Sequence, residues 1–277
     1  MLLKDIITSS TARYKSVGYL TMGHMTLRCV LLAAVFAIAN IASAQIGEHR
    51  NVFSVGVNGG LVMSNVGFTP EVSQSQHMGA TGGLTFRYTT EKYFSTICSL
   101  QAEINYASLG WKENIVDADD QKVINATTGK AEEYSRTISY VQVPLMAHLA
   151  WGKEEKGLNF FLNLGPQFGY MLSESSACNF DMQQEIAAIA AGTSGRGNTN
   201  IAQDTLEVKN KLDYGIAAGI GVECSARNVG HFLIEARYYY GLGNIFGASK
   251  KDYFGKSNYG NIVIKASWLF DITKTKH

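Results

Sequence analysis

Few residues in this 277-residue chain have both the type and the spacing for chemistry. His77, His148 and His231 stand singly, with no H-E-x-x-H pair, and a metal site needs converging ligands. Asp117, Asp119 and Asp120 are spaced like the opening of a calcium loop. Lys122 stands where that loop needs Gly and Thr128 where it needs Glu, so the segment reads as a solvated acidic loop. Gly219-Ile220-Gly221 lacks the third glycine and the helix of a dinucleotide site, and its glycines read as room-makers in a packed interior. Cys29, Cys98, Cys178 and Cys224 include no C-x-x-C pair and read as small apolar or loop residues. A Ser–His–carboxylate centre needs a histidine, and 173–209, a long polar stretch, has none. A net charge of +1 selects no nucleic acid. The expectation is no catalytic residue, no cofactor, no metal and no enzyme. What remains is ionic: Arg87, Glu103, Glu223, Glu235, Arg237 and Lys265 recur on one face of strongly alternating segments.

Those segments have a period of two. Phe53, Val55, Val57 and Leu61 oppose Ser54, Gly56, Asn58 and Gly60. Leu84, Phe86 and Tyr88 oppose Gly83, Thr85 and Arg87; Leu100, Ala102 and Ile104 oppose Gln101, Glu103 and Asn105. The alternation returns around Val141–Trp151, Phe160–Tyr170, Leu212–Glu223, Phe232–Tyr240 and Asn261–Phe270. This makes eight strands, mostly ten residues or longer, where a tilted strand needs about 9–11 residues to cross a bilayer and an ordinary globular strand has about 5–6. Short connections (Thr89–Phe94, Gly152–Gly157, Ala226–Gly230) alternate with long ones (Asn65–Gln76, Gly110–Arg136, Ser173–Lys209, Gly241–Ser257). Alternating connections around an even strand count predict an all-β fold: a single eight-stranded antiparallel transmembrane β-barrel, with short periplasmic turns, long extracellular loops and both termini in the periplasm. Aromatics cluster where two interfacial girdles would lie, with Phe86, Tyr88, Trp151 and Trp268 at one rim and Tyr106, Tyr170, Tyr214 and Tyr240 at the other. Pro144 and Pro166 fall inside strands and are read as bulges or kinks. DMQQEIAAIAA, Asp181 to Ala191, reads as a short helix capped by Asn179 or Asp181.

Upstream, Arg28 to Ala44 carries a positive residue, an apolar run too short to span a bilayer, and Ala42-Ser43-Ala44. This is a secretory signal with its cleavage site. The expected organisation is a signal peptide over 1–44, starting at Met22 or Met25, and a barrel domain over 45–277.

Three strands together carry a family resemblance. YVQVPLMAHLAW resembles the Y-x-x-[IV]-P-L strand of the PorT-like outer-membrane β-barrel family, LNLGPQFGYML its G-P-x-x-G-Y-x-L strand, and DYGIAAGIGVE its D-[FY]-G-x-x-x-G-x-G-x-E strand. The resemblance implies an eight-stranded barrel in the outer membrane of a Gram-negative bacterium. It points to a non-enzymatic structural or binding role, or to an accessory of type IX protein secretion. The partners implied are outer-membrane lipid, the barrel-assembly machinery during insertion, and secretion components or a surface ligand. A surface-loop adhesin is the alternative, and an outer-membrane hydrolase or acyltransferase a weaker one. The chain departs from many such barrels by ending DITKTKH after Phe270 and not on an aromatic residue.

On this topology the six charged residues point into the lumen, and an eight-stranded barrel is just wide enough for side chains to fill it. Buried charges persist when paired, so they are expected to form an ion-pair network that closes the pore.

Overall fold

The computed structural model describes residues 47–125, 128–153, 156–196, 206–226 and 229–276. The signal peptide expected over 1–44 lies outside them, as do 197–205 of the longest loop. Eight long strands, one two-residue strand and one helix make up the described chain: β1 (Glu48–Thr69), β2 (Gln74–Ser75), β3 (His77–Tyr93), β4 (Thr96–Asn114), β5 (Glu133–Gly152), β6 (Gly157–Cys178), α1 (Met182–Ala190), β7 (Leu212–Ala226), β8 (Gly230–Gly241) and β9 (Lys256–Lys276). The long strands pair antiparallel with their neighbours in chain order. β1 also pairs with β9, and β4 with β5, so the sheet closes into an eight-stranded ring. β2 adds to the end of β4, with Gln74 opposite Glu113.

Period-two alternation sorts the side chains. Ser54, Asn58, Thr85, Gln101, Gln142 and Asn163 are buried inside, while Val57, Leu61, Leu84, Ile104, Leu145 and Ile220 are exposed outside. A wall that is apolar outward and polar inward suits lipid around the molecule. The exposed rings form two bands, with Tyr88, Trp151 and Trp268 toward the short turns and Tyr106, Tyr170, Tyr214 and Tyr240 toward the long loops.

The strands run further than the outward apolar pattern indicates, from 12 residues in β8 to 22 in β1 and β6. Toward the long loops the polarity of the wall inverts. Val66, Phe68, Leu109, Trp111, Tyr134 and Ile138 turn inward and are buried. Ser108, Lys112, Ser135 and Thr137 alternate with them on the outer face. Hydrogen-bonded pairing continues through this collar, with Trp111 opposite Arg136 and Phe68 opposite Ser257. The collar therefore has an apolar interior and a polar exterior, as a soluble barrel does.

Neither proline is a bulge. Pairing of β4 with β5 lapses between Ala102–Leu145 and Asn105–Gln142, and pairing of β5 with β6 lapses between Pro144–Gln167 and Ala147–Leu164; both resume in the same register. Each proline lacks an N–H, so the ladder loses a rung without shifting. Register shifts lie instead toward the rims, between His49 and Val52, Thr89 and Glu91, and Ser139 and Tyr140, where bulges are common in barrels. α1 is capped by Asp181, whose Oδ1 accepts from the N–H groups of Gln183 and Gln184 at 3.0 and 3.2 Å. Asn179 takes another role, bridging Glu133 N and Ala131 O.

Candidate functional site

The lumen holds three layers. The middle layer is ionic. Glu103 on β4 reaches across to Arg237 on β8, accepting from Nη2 at 2.9 Å and Nη1 at 3.1 Å. Arg237 also donates to Glu235 at 2.8 and 3.0 Å. Lys265 on β9 donates to Glu103 and stands 3.5 Å from Glu235. Gln101 and Asn105 each donate to Glu103 at 2.8 Å, and Asn58 in turn donates to Asn105 and Thr85 at 2.9 Å. Two carboxylates and two cations balance, and all four residues are buried, Glu103 at 0% exposure. None of their charged atoms lacks a partner. Gly219 makes this possible, because a Cβ there would lie 2.2 Å from Glu235 Oε1.

Nearer the short turns lies a second cluster. Arg87 on β3 grips Glu223 on β7 in a fork, at 2.6 and 3.2 Å. His231 places Nδ1 2.7 Å from Glu223 and Nε2 3.1 Å from Asp271. His148 approaches Glu223 at 3.6 Å from β5. A cavity of about 690 Å³ opens among these residues. Here His148 Nε2, Arg87 Nε and Asn159 Oδ1 are buried without a hydrogen-bond partner, unlike the charges of the middle layer. The mouth is thus roomy and polar, and the charges of the middle layer are buried and paired.

The six expected residues therefore fall into two groups, Arg87 with Glu223, and Glu103 with Glu235, Arg237 and Lys265. Ring closure brings His148 and His231 to one carboxylate, a meeting that spacing along the chain does not reveal. His77 stays apart, 3.4 Å from Thr137. Among the described residues no group of three or more His, Cys, Asp or Glu is arranged to hold a metal ion. Asp117 spends Oδ1 on its own turn, accepting from the N–H groups of Asp119 and Gln121 at 2.9 Å.

Ser225, His231 and Asp271 have triad-like contacts, with the serine Oγ 2.8 Å from His231 Nδ1. A carboxylate can only accept. Both ring nitrogens of His231 face carboxylates, Glu223 at Nδ1 and Asp271 at Nε2, so the serine shares Nδ1 with Glu223. Ser225 itself donates to Glu223 at 3.2 Å.

The third layer lies in the collar and is aromatic. Phe68 packs with Trp111, Phe246 and Phe254 at centroid distances of 5.5, 6.3 and 4.7 Å. The Arg136 guanidinium lies 5.8 Å from the Trp111 ring and 5.7 Å from Phe246, and pairs with Glu174 at 2.5 Å. Trp111 Nε1 donates to Glu113 at 2.8 Å. Phe246 and Phe254 come from the connection between β8 and β9, which folds in over the lumen. Sequence reasoning missed this layer; Phe68, Trp111 and Phe246 were legible only as aromatics in loops.

Residues 43–247 match the family described as outer membrane protein beta-barrel domain. No curated protein matches the chain. Among solved structures, the chain is similar to Ail, the attachment invasion locus protein of Yersinia pestis, at 12% identity over 78% of this chain and 98% of that one, with a TM-score of 0.32. It is similar to OprG of Pseudomonas aeruginosa at 11% identity over 81% and 98%, TM-score 0.39. The outer membrane protein W of E. coli matches at 15% identity over 82% and 100%, TM-score 0.34.

Proposed function

This chain belongs to the outer membrane protein beta-barrel domain family, and from that premise we propose a non-enzymatic structural or binding protein with a closed lumen, acting through its long-loop end at the cell surface. Its setting is the lipid of a Gram-negative outer membrane. The observation that carries the proposal is the double closure of the lumen, by the buried cluster around Glu103 and by the aromatic layer around Phe68. A conduit would need a path between them. The two carboxylates flanking His231 support a non-enzymatic role, since Ser225 meets a ring nitrogen that Glu223 already occupies.

In this reading the short turns and both termini face the periplasm, and the barrel-assembly machinery inserts the chain. Shaving of intact cells with protease tests the orientation: cutting within 115–132 or 191–211, with 153–156 intact, supports it, and the reverse pattern overturns it. The strand motifs around Pro144, Pro166 and Gly219 favour a PorT-like accessory of type IX secretion. A surface-loop adhesin is the second reading, favoured by the size of the connections. A clean deletion, followed by comparison of secreted and surface proteomes, separates them. A secretion accessory loses cargo from the medium and tolerates removal of the loops. An adhesin leaves secretion intact and fails without them.

A further inference from the structure

We propose that the rim above β7, β8 and β9 binds a phosphorylated, multiply acylated lipid of the lipid A class, with lysine amines on its phosphates and the barrel wall against its chains. The proposal rests on the reading that the long-loop end faces outside.

A recess of about 450 Å³ opens outward at this rim. Its upper wall includes Lys209 and Lys211, and its floor Leu212, Tyr214 and Leu242, all three about half exposed. That floor is continuous with the membrane-facing wall through Ile216 and Ile220. Three further lysines, Lys250, Lys251 and Lys256, are exposed on the adjoining connection and on the first residue of β9. The Lys256 amine sits 5.8 Å from the Tyr240 ring, which belongs to the aromatic band at the membrane boundary. Lys209 is held by Asp252. Among the described residues no carboxylate pairs with Lys211, Lys250, Lys251 or Lys256. The connection between β4 and β5 differs in balance, for its lysines Lys122 and Lys130 are outnumbered by Asp117, Asp119, Asp120 and Glu132, and Lys112 beside it is paired with Glu133.

Amines at membrane height attract anionic headgroups, and clusters of them read as lipid-binding. A soluble anion would use the amines and leave the apolar floor bare. A neutral lipid would use the floor and leave the amines without counter-charge. Only an anionic amphiphile uses both.

The test titrates folded protein in detergent micelles with bis-phosphorylated lipid A and reads bound lipid by native mass spectrometry. Wild type should retain it, and dephosphorylated lipid A should bind more weakly. Each lysine removed in the series K211A, K250A, K251A, K256A should weaken binding about fivefold, the factor expected for one amine near an anionic surface. K112A/K130A, on the acidic arc, should bind as wild type. The mobility shift between unboiled and boiled samples confirms that each variant is folded. Equal binding of the dephosphorylated lipid, indifference to the four substitutions, or displacement by inorganic phosphate at equal concentration would overturn the proposal. Micelles have no sides, so a wrong orientation leaves this result unchanged and shows itself in the protease experiment.

Discussion

Glu103→Ala tests whether the middle of the barrel is dry. The carboxylate accepts from Arg237, Lys265, Gln101 and Asn105, and the residue is fully buried. Its removal leaves Arg237 and Lys265 sharing Glu235, with Lys265 3.5 Å from that carboxylate. One buried positive charge is then uncompensated, which costs about 3–5 kcal/mol. The freed donors of Gln101 and Asn105 add to this, at about 1–3 kcal/mol for a group left unsatisfied, though not independently of the charge. Glu235→Ala should fall in the same range for the same reason. The double change Glu103→Gln with Lys265→Met removes one charge of each sign and should recover much of the loss, because replacing both partners is far milder than stranding one. Urea unfolding in lipid vesicles, followed by tryptophan fluorescence and gel mobility, reads these differences. A Glu103→Ala protein within about 1 kcal/mol of wild type, the range of a solvent-screened pair, would refute the dry cluster.

The purified protein should show no stable conductance in planar bilayers, and a steady porin-sized current would refute the closed lumen. Trp111→Ala should cost about 3–5 kcal/mol in the same unfolding assay, as for a large buried aromatic side chain. Because every barrel strand is paired on both sides, the folded protein should resist detergent until boiled and shift on a gel; identical mobilities in a sample shown to be folded would argue for an open sheet. Hydrogen bonds from Lys209 and Ser249 hold the Asp252 carboxyl down at about 2, below its ordinary 3.8. The clasp should therefore be present above pH 4 and be lost as pH falls through about 2, and an NMR titration of that carboxyl checks it, with Lys209→Ala raising the value toward the ordinary one while the Ser249 hydrogen bonds keep it below.

The membrane-spanning part of the fold was legible because lipid enforces one rule along each strand, apolar outward and polar inward. That rule assigned Arg87, Glu103 and Glu223 to the lumen. It stopped being readable at Ser64 and Leu109, where the wall leaves lipid and the rule inverts; Val66 and Trp111 then look like loop residues, although strand pairing runs on. Which charges meet across the lumen was not legible either. Arg87 finds Glu223, and Glu103 finds Arg237, across the barrel and not between hydrogen-bonded neighbours. Such pairs depend on how tilted strands stagger on closure, which no local pattern encodes. The bulge reading of Pro144 and Pro166 fails for a related reason, since the adjoining rungs hold the register across a missing N–H.

The β1–β9 seam bears on how the molecule comes into being. It runs from Arg50 opposite Lys276 to Thr69 opposite Lys256, the longest ladder of the ring. Every other barrel ladder joins strands consecutive along the chain and can zip as a hairpin soon after its residues arrive. The seam joins the two ends and must await the whole chain. Until then both margins display unpaired N–H and C=O groups, an open template for any passing strand. Loss of β9 would not yield a smaller barrel. It would leave a curled sheet with two adhesive borders, so the barrel is either closed or exposed to edge-to-edge association.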